Sequence, residues 1–94
     1  MVRTPLTPQE LEELTAKHPA WSIAADNMTR EFAFDGFSAA IGFVMQTALA
    51  AEALDHHPDI DIRWNRVTLT LSTHSAGSLT ELDRKLAGTI DDFA

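Results

Sequence analysis

The chain has 94 residues, 45% of them apolar, and its seven basic against fourteen acidic side chains leave a formal charge of −7. This size and apolar content predict one globular domain over residues 1–94, and the negative balance excludes broad contact with nucleic-acid phosphates or anionic membranes. With no cysteine, disulfides, iron–sulfur clusters and thiolate zinc sites are excluded, and a reducing cytoplasm is the expected location.

A chain this short hides only about 60–65% of its unfolded surface, so self-association would add burial and a homodimer or homotetramer is expected. The start, Met1 to Pro8, has no apolar run behind Arg3 and does not read as a signal peptide. Thr7, Pro8 and Glu10 supply an N-cap hydroxyl, a proline at the first helical position and a capping-box carboxylate. They predict a helix over Pro8 to Lys17, closed by Pro19, with Leu6 and Leu11 spaced as a hydrophobic staple.

From Trp21 to Phe34 the pattern turns to period two, with Asp26-Asn27 suited to a tight turn, and predicts a hairpin. Phe37 to Asp55 is rich in alanine and apolar around most of its circumference. It predicts a long helix packed on two sides, one against a sheet and the other against a partner subunit. Gly42, Gln46, Thr47 and Glu52 interrupt the stretch, leaving it too short and too polar to span a bilayer comfortably.

Ile60, Ile62 and Trp64 alternate with charged residues, and Val67, Leu69 and Leu71 alternate with Thr68, Thr70 and Ser72, which predicts a second hairpin. Ser78 to Thr80 cap a last helix whose apolar stripe is Leu79, Leu82, Leu86, Ile90 and Phe93. The order α-β-β-α-β-β-α predicts an α+β fold, a four-stranded antiparallel sheet with three helices packed on one face.

If Asn65-Arg66 forms the second hairpin's turn, paired residues sum to about 131. Trp64 then faces Val67, Ile62 faces Leu69 and Ile60 faces Leu71, all buried, and His57 comes opposite His74 as a cross-strand neighbour. Imidazoles can take and give protons near neutral pH, so converging histidines suit general acid–base work. The fourth histidine, His18, falls in a loop with no evident role.

Singly, these residues have simpler explanations. His56 and His57 suit a helix end through the dipole, and Asp83 suits a capping box with Thr80. A zinc or iron site from His56, His57, His74 and Asp83 fits by ligand type, but adjacent histidines diverge and rarely hold one ion, so no metal is expected. Trp64 reads first as a core residue.

Taken together, the spacing is specific. Glu52, three intervening residues, His56-His57-Pro58, Trp64, His74 and Asp83 resemble the pattern of the pterin-4a-carbinolamine dehydratases. Leu6-Thr7, Trp21, Phe32-Ala33-Phe34, Phe43, Ala51-Glu52 and Leu79-Thr80 extend the similarity over nearly the whole chain. Two positions depart from it: Ile60 stands where many members carry an aromatic residue, and Trp64 stands where many carry tyrosine. Neither removes a titratable group.

The resemblance implies a cofactor-free hydro-lyase that removes water from a 4a-hydroxytetrahydropterin to give the quinonoid dihydropterin. It implies His57 and His74 as the acid–base pair, with His56 positioning the pterin or sharing proton transfer. It also implies Asp83 hydrogen-bonded to His74, a role hard to combine with capping a helix. Glu52, Pro58, Thr73, Ser75 and Trp64 are the implied substrate-binding residues, with Thr73 and Ser75 offering backbone or hydroxyl hydrogen bonds and Glu52 orienting the histidine loop. A pterin substrate and functional coupling to an aromatic amino acid hydroxylase are the implied partners. The competing expectation is a non-catalytic module. It would either bind a pterin without turnover or dimerise with a transcription factor through its helices, as animal relatives do.

Overall fold

Thr7 starts the first helix through reciprocal bonds. Its Oγ1 accepts the Glu10 N–H at 3.1 Å, and Glu10 Oε1 accepts the Thr7 N–H at 2.9 Å. This box opens α1, Pro8–Lys17. The hydrogen bonds from Thr7, backbone first, hold the Glu10 carboxyl below its ordinary value, helped by the charge of Arg84. The computed structural model describes residues 3–94; Met1 and Val2, which open the stretch read for a signal peptide, lie outside the described residues.

Strand β1 is Ser22–Ile23 and β2 is Met28–Ala33, a hairpin in which Ile23 pairs with Met28. Helix α2, Phe37–Leu54, is followed by β3, Asp59–Arg63, and β4, Arg66–Leu71. A 3-10 turn at His74–Ala76 leads to α3, Glu81–Phe93. The strands lie in the order β1-β2-β4-β3, every pair antiparallel. The α+β fold and its element order are those predicted.

Strand alternation separates the two faces of the sheet. Met28, Phe32, Val67, Leu69 and Leu71 point to one face and are buried. On the other, Thr29 and Thr70 hydroxyls meet at 3.3 Å and Arg66 donates to Glu31 at 2.7 Å. Helix α2 supplies Ala40, Phe43 and Ala51 to the core, and α3 supplies Leu86, Ala87 and Ile90. Phe43 is central to the aromatic packing: its ring centroid lies 4.6 Å from Phe32, 5.0 Å from Phe34 and 5.7 Å from Phe93. Burial of a side chain of that size contributes about 1.5–3 kcal/mol.

The opposite side of α2 carries Phe37, Ile41, Met45 and Leu49, all exposed, with Met45 at 60% and Leu49 at 65%. By length and composition α2 could cross a membrane, with 18 residues at a mean hydropathy of 1.4. Its other side, however, forms part of the domain core through Ala40, Phe43, Thr47 and Ala51.

The second hairpin departs from expectation in register. Arg63 pairs with Arg66, Ile62 with Val67 and Ile60 with Leu69, so the turn is Trp64-Asn65, two positions away from the predicted pairing. Trp64 takes the left-handed conformation at φ 52°. Asn65 is fixed by the end of β2: its Nδ2 donates to Phe34 O at 3.0 Å, and its carbonyl accepts the Phe34 N–H at 2.8 Å. A shift of two leaves each side chain on its predicted face, but the expected burial fails. Strand β3 is an edge that the helices do not cover, so Ile60 and Ile62 are 37% and 38% exposed, and Trp64, at the tip, is 69% exposed.

Candidate active site

At the end of α2, Asp55 adopts a left-handed conformation at φ 48°. The Asp55 N–H donates to Glu52 O at 3.1 Å and the His56 N–H to Ala51 O at 3.0 Å. This cap turns the chain so that consecutive histidines diverge: His56 is buried and His57 is exposed. Pro58, which has no N–H to continue a helix, leads into β3.

Beyond β4, Thr73 forms an isolated bridge with Ser78. Between them the 3-10 turn lifts His74 and Ser75 to the surface. Gly77 closes the turn at φ 61°, a conformation glycine adopts without steric cost, and its N–H donates to His74 O at 3.1 Å.

Both segments border one cleft of about 250 Å³, lined by Arg3, Asp55, His56, His57, Ser72, Thr73, His74 and Ser75. His57 and His74 therefore share a cleft, though not as cross-strand partners. The ladder ends at Asp59 and Thr70, and the two histidines reach the cleft from a loop and a turn.

Behind the cleft lies Asp83, fully buried. Its Oδ1 meets His56 Nε2 at 2.6 Å, while its Oδ2 accepts the Thr73 hydroxyl at 2.7 Å and the Thr80 N–H at 2.9 Å. Thr73 has one hydroxyl hydrogen, and giving it to Asp83 makes Thr80 the donor in their 2.8 Å contact. The result is a directed chain, from Thr80 to Thr73 to Asp83. With Asp83 accepting at both oxygens, His56 carries its hydrogen on Nε2 and leaves Nδ1 for another partner.

Three expectations about these residues are corrected. Asp83 pairs with His56, because the buried side of the helix-end loop faces the start of α3 while His74 stands out on its turn. Asp83 also caps α3 and holds a histidine at once, since its two oxygens divide the tasks. Thr73 has no donor left for a ligand: its hydroxyl hydrogen is given to Asp83 and its N–H to Ser78 O at 3.1 Å.

Glu52 Oε1 meets His57 Nε2 at 2.6 Å, and both side chains are exposed. Ser75 lines the cleft, and its Oγ accepts from the Arg3 guanidinium at 3.0 Å. Trp64 and Pro58 are not among the lining residues. Trp64 sits at the far end of the five-residue strand β3, roughly 17 Å along the chain from the histidine loop.

Arg3, Asp55 and Ser72 line the cleft without having been singled out from the sequence. Asp55 and Ser72 adjoin predicted site residues, which was the only available signal, and Arg3 had none. His18 also has a partner the sequence did not suggest. Its Nδ1 lies 2.6 Å from Asp91, which also accepts from Trp21 Nε1 at 2.9 Å and from Arg30 at 2.8 Å. This cluster ties the end of α1 to the end of α3, about 12 Å along that helix from Asp83.

The profile of the family described as pterin 4 alpha carbinolamine dehydratase matches residues 4–93. A provisionally named pterin-4-alpha-carbinolamine dehydratase of Chloroflexus aurantiacus is 51% identical over 88 residues, covering 94% of this chain and 95% of that one. A similarly named protein of Acidobacterium capsulatum is 50% identical over 86 residues, covering 92% and 94%. Among solved structures, a transcriptional coactivator/pterin dehydratase from Brucella melitensis superposes with a TM-score of 0.91 at 42% identity, covering 97% of this chain and 99% of that one. A pterin dehydratase-like RuBisCO assembly factor of the alpha-carboxysome shares the fold at 24% identity and a TM-score of 0.65, covering 79% and 86%.

Proposed function

This chain belongs to the pterin 4 alpha carbinolamine dehydratase family, and on that footing we propose that residues 1–94 act as one domain removing water from a 4a-hydroxytetrahydropterin. The observation that carries the reading is the single cleft bordered by His56, His57 and His74, with Asp83 behind His56. In the reaction the C4a–O bond breaks, the N5–H proton leaves, and a C4a=N5 double bond forms as water departs. One proton is given to the leaving oxygen and one is taken from N5, so the site returns to its starting charge.

His57 and His74 exchange these two protons, each transfer contributing about 100- to 10,000-fold. Glu52 orients His57 through their 2.6 Å contact. His56, its tautomer set by Asp83, presents Nδ1 to the ring and positions it. A stopped-flow assay of quinonoid dihydropterin formation tests this reading. Added protein accelerates the step over the uncatalysed rate; an unchanged rate overturns the reading.

The proposal extends to a homodimer or homotetramer in the cytoplasm, serving an aromatic amino acid hydroxylase that produces the 4a-hydroxy compound. Support for self-association comes from the Phe37, Ile41, Met45 and Leu49 stripe on α2. Met45→Glu is expected to lower the mass measured by light scattering to that of a monomer, and a parent that is already monomeric would remove this part. The same stripe favours a second reading, a protein-dimerisation role beside catalysis, since the Brucella neighbour is named both coactivator and dehydratase.

A further inference from the structure

Resting on the dehydratase reading, we propose that Arg3 is a specificity-determining residue that binds oxygen acceptors on the C6 substituent of the pterin. The chain carries five arginines. Four are matched to carboxylates: Arg30 to Asp91, Arg63 to Asp61, Arg66 to Glu31, and Arg84 to Glu81 and Glu10. Among the described residues Arg3 alone is bonded only to a neutral group, the Ser75 hydroxyl at 3.0 Å. It is also the one arginine or lysine lining the histidine cleft. In a chain of charge −7, a guanidinium without a carboxylate, at the mouth of a binding cleft, is placed to receive acceptors from a ligand.

Its position is held rather than left to a loose terminus. The Leu6 N–H donates to Leu79 O at 2.9 Å, and the Leu6 side chain is buried in the core. The segment from Arg3 to Leu6 therefore runs beside Ser75 to Leu79, the stretch that carries the His74 turn. One guanidinium N–H is given to Ser75, and the other donors remain for a ligand.

The chemistry of the reaction decides which acceptors. Departure of hydroxide from C4a builds positive charge on C4a and N5, and a fixed cation beside them would oppose that step. The C4 carbonyl is bonded to C4a and is excluded for the same reason. Ring nitrogen N1 lies on the remote side, but every pterin has it, so a contact there would not discriminate between substrates. Hydroxyl oxygens on the C6 substituent lie beyond the reacting atoms and differ from one pterin to another. Arg3 takes these.

The experiment compares kcat/KM for 4a-hydroxytetrahydropterins bearing a 6-methyl or a 6-dihydroxypropyl group, in the parent and in Arg3→Ala. The parent prefers the dihydroxypropyl compound. In Arg3→Ala that preference falls about tenfold, through KM, as expected for loss of a hydrogen bond to a charged group near the surface. Because Arg3 is exposed, the melting temperature stays with the parent. A preference ratio unchanged by Arg3→Ala overturns the inference; this includes equal losses on both compounds, the pattern of an N1 contact or of a merely structural role. If the parent turns over neither compound, the dehydratase reading itself fails, so the two failures are told apart by the parent.

Discussion

His74→Ala is expected to lower kcat about 100- to 10,000-fold while leaving the fold intact. His74 is exposed on its 3-10 turn, and among the described residues its side chain makes no hydrogen bond. A substitution there should change stability by no more than about 0.5 kcal/mol. Loss of turnover without loss of stability separates a proton-transfer role from a structural one. His57→Ala should behave similarly, since its exposed contact with Glu52 is worth about 1 kcal/mol at most. Wild-type kcat in both variants would leave the cleft without its acid–base pair.

Asp83→Ala is expected to produce the largest loss of stability of any single change at the site, about 3–5 kcal/mol, read from the midpoint of urea unfolding. The carboxylate is fully buried and takes hydrogen from His56, Thr73 and the Thr80 backbone. Removing it leaves three buried donors without an acceptor and uncaps α3. Asp83→Asn keeps the shape but cannot satisfy both sides while His56 keeps its hydrogen on Nε2. An amide NH2 facing Thr80 sets donor against donor, and one facing His56 forces that ring into its other tautomer. The asparagine variant should therefore be less stable than the parent and more stable than the alanine variant, with turnover reduced in both. A midpoint for Asp83→Ala equal to that of the parent would contradict the network.

Most of the fold was legible because its signals are local. Thr7-Pro8 with Glu10 predicts a capped helix through hydrogen bonds spanning three residues, and α1 begins and ends where those residues imply. The strand faces were legible from period two even though the pairing was not. The turn Trp64-Asn65 is chosen by a contact between Asn65 and Phe34, 31 residues away, and no pattern within the hairpin encodes it. Likewise, nothing in the sequence near Ile60 and Ile62 reveals that the helices leave β3 uncovered.

The candidate site followed the same division. His56, His57 and His74 were singled out, and all three border one cleft. The spacing does not reveal that Asp83 meets His56, because the αL turn at Asp55, which sends one of two adjacent histidines inward, is set by backbone geometry rather than by side-chain spacing. Arg3 and the His18–Asp91 pair were not foreseen, since each depends on contacts across more than 70 residues.

The most direct measurement of the central claim is an NMR titration of the parent with a stable 7,8-dihydropterin, following the imidazole resonances. The ring signals of His56, His57 and His74 are predicted to move along one saturable curve while His18, held by Asp91, stays in place. Absence of movement in those three, or movement of His18 alone, would contradict the account.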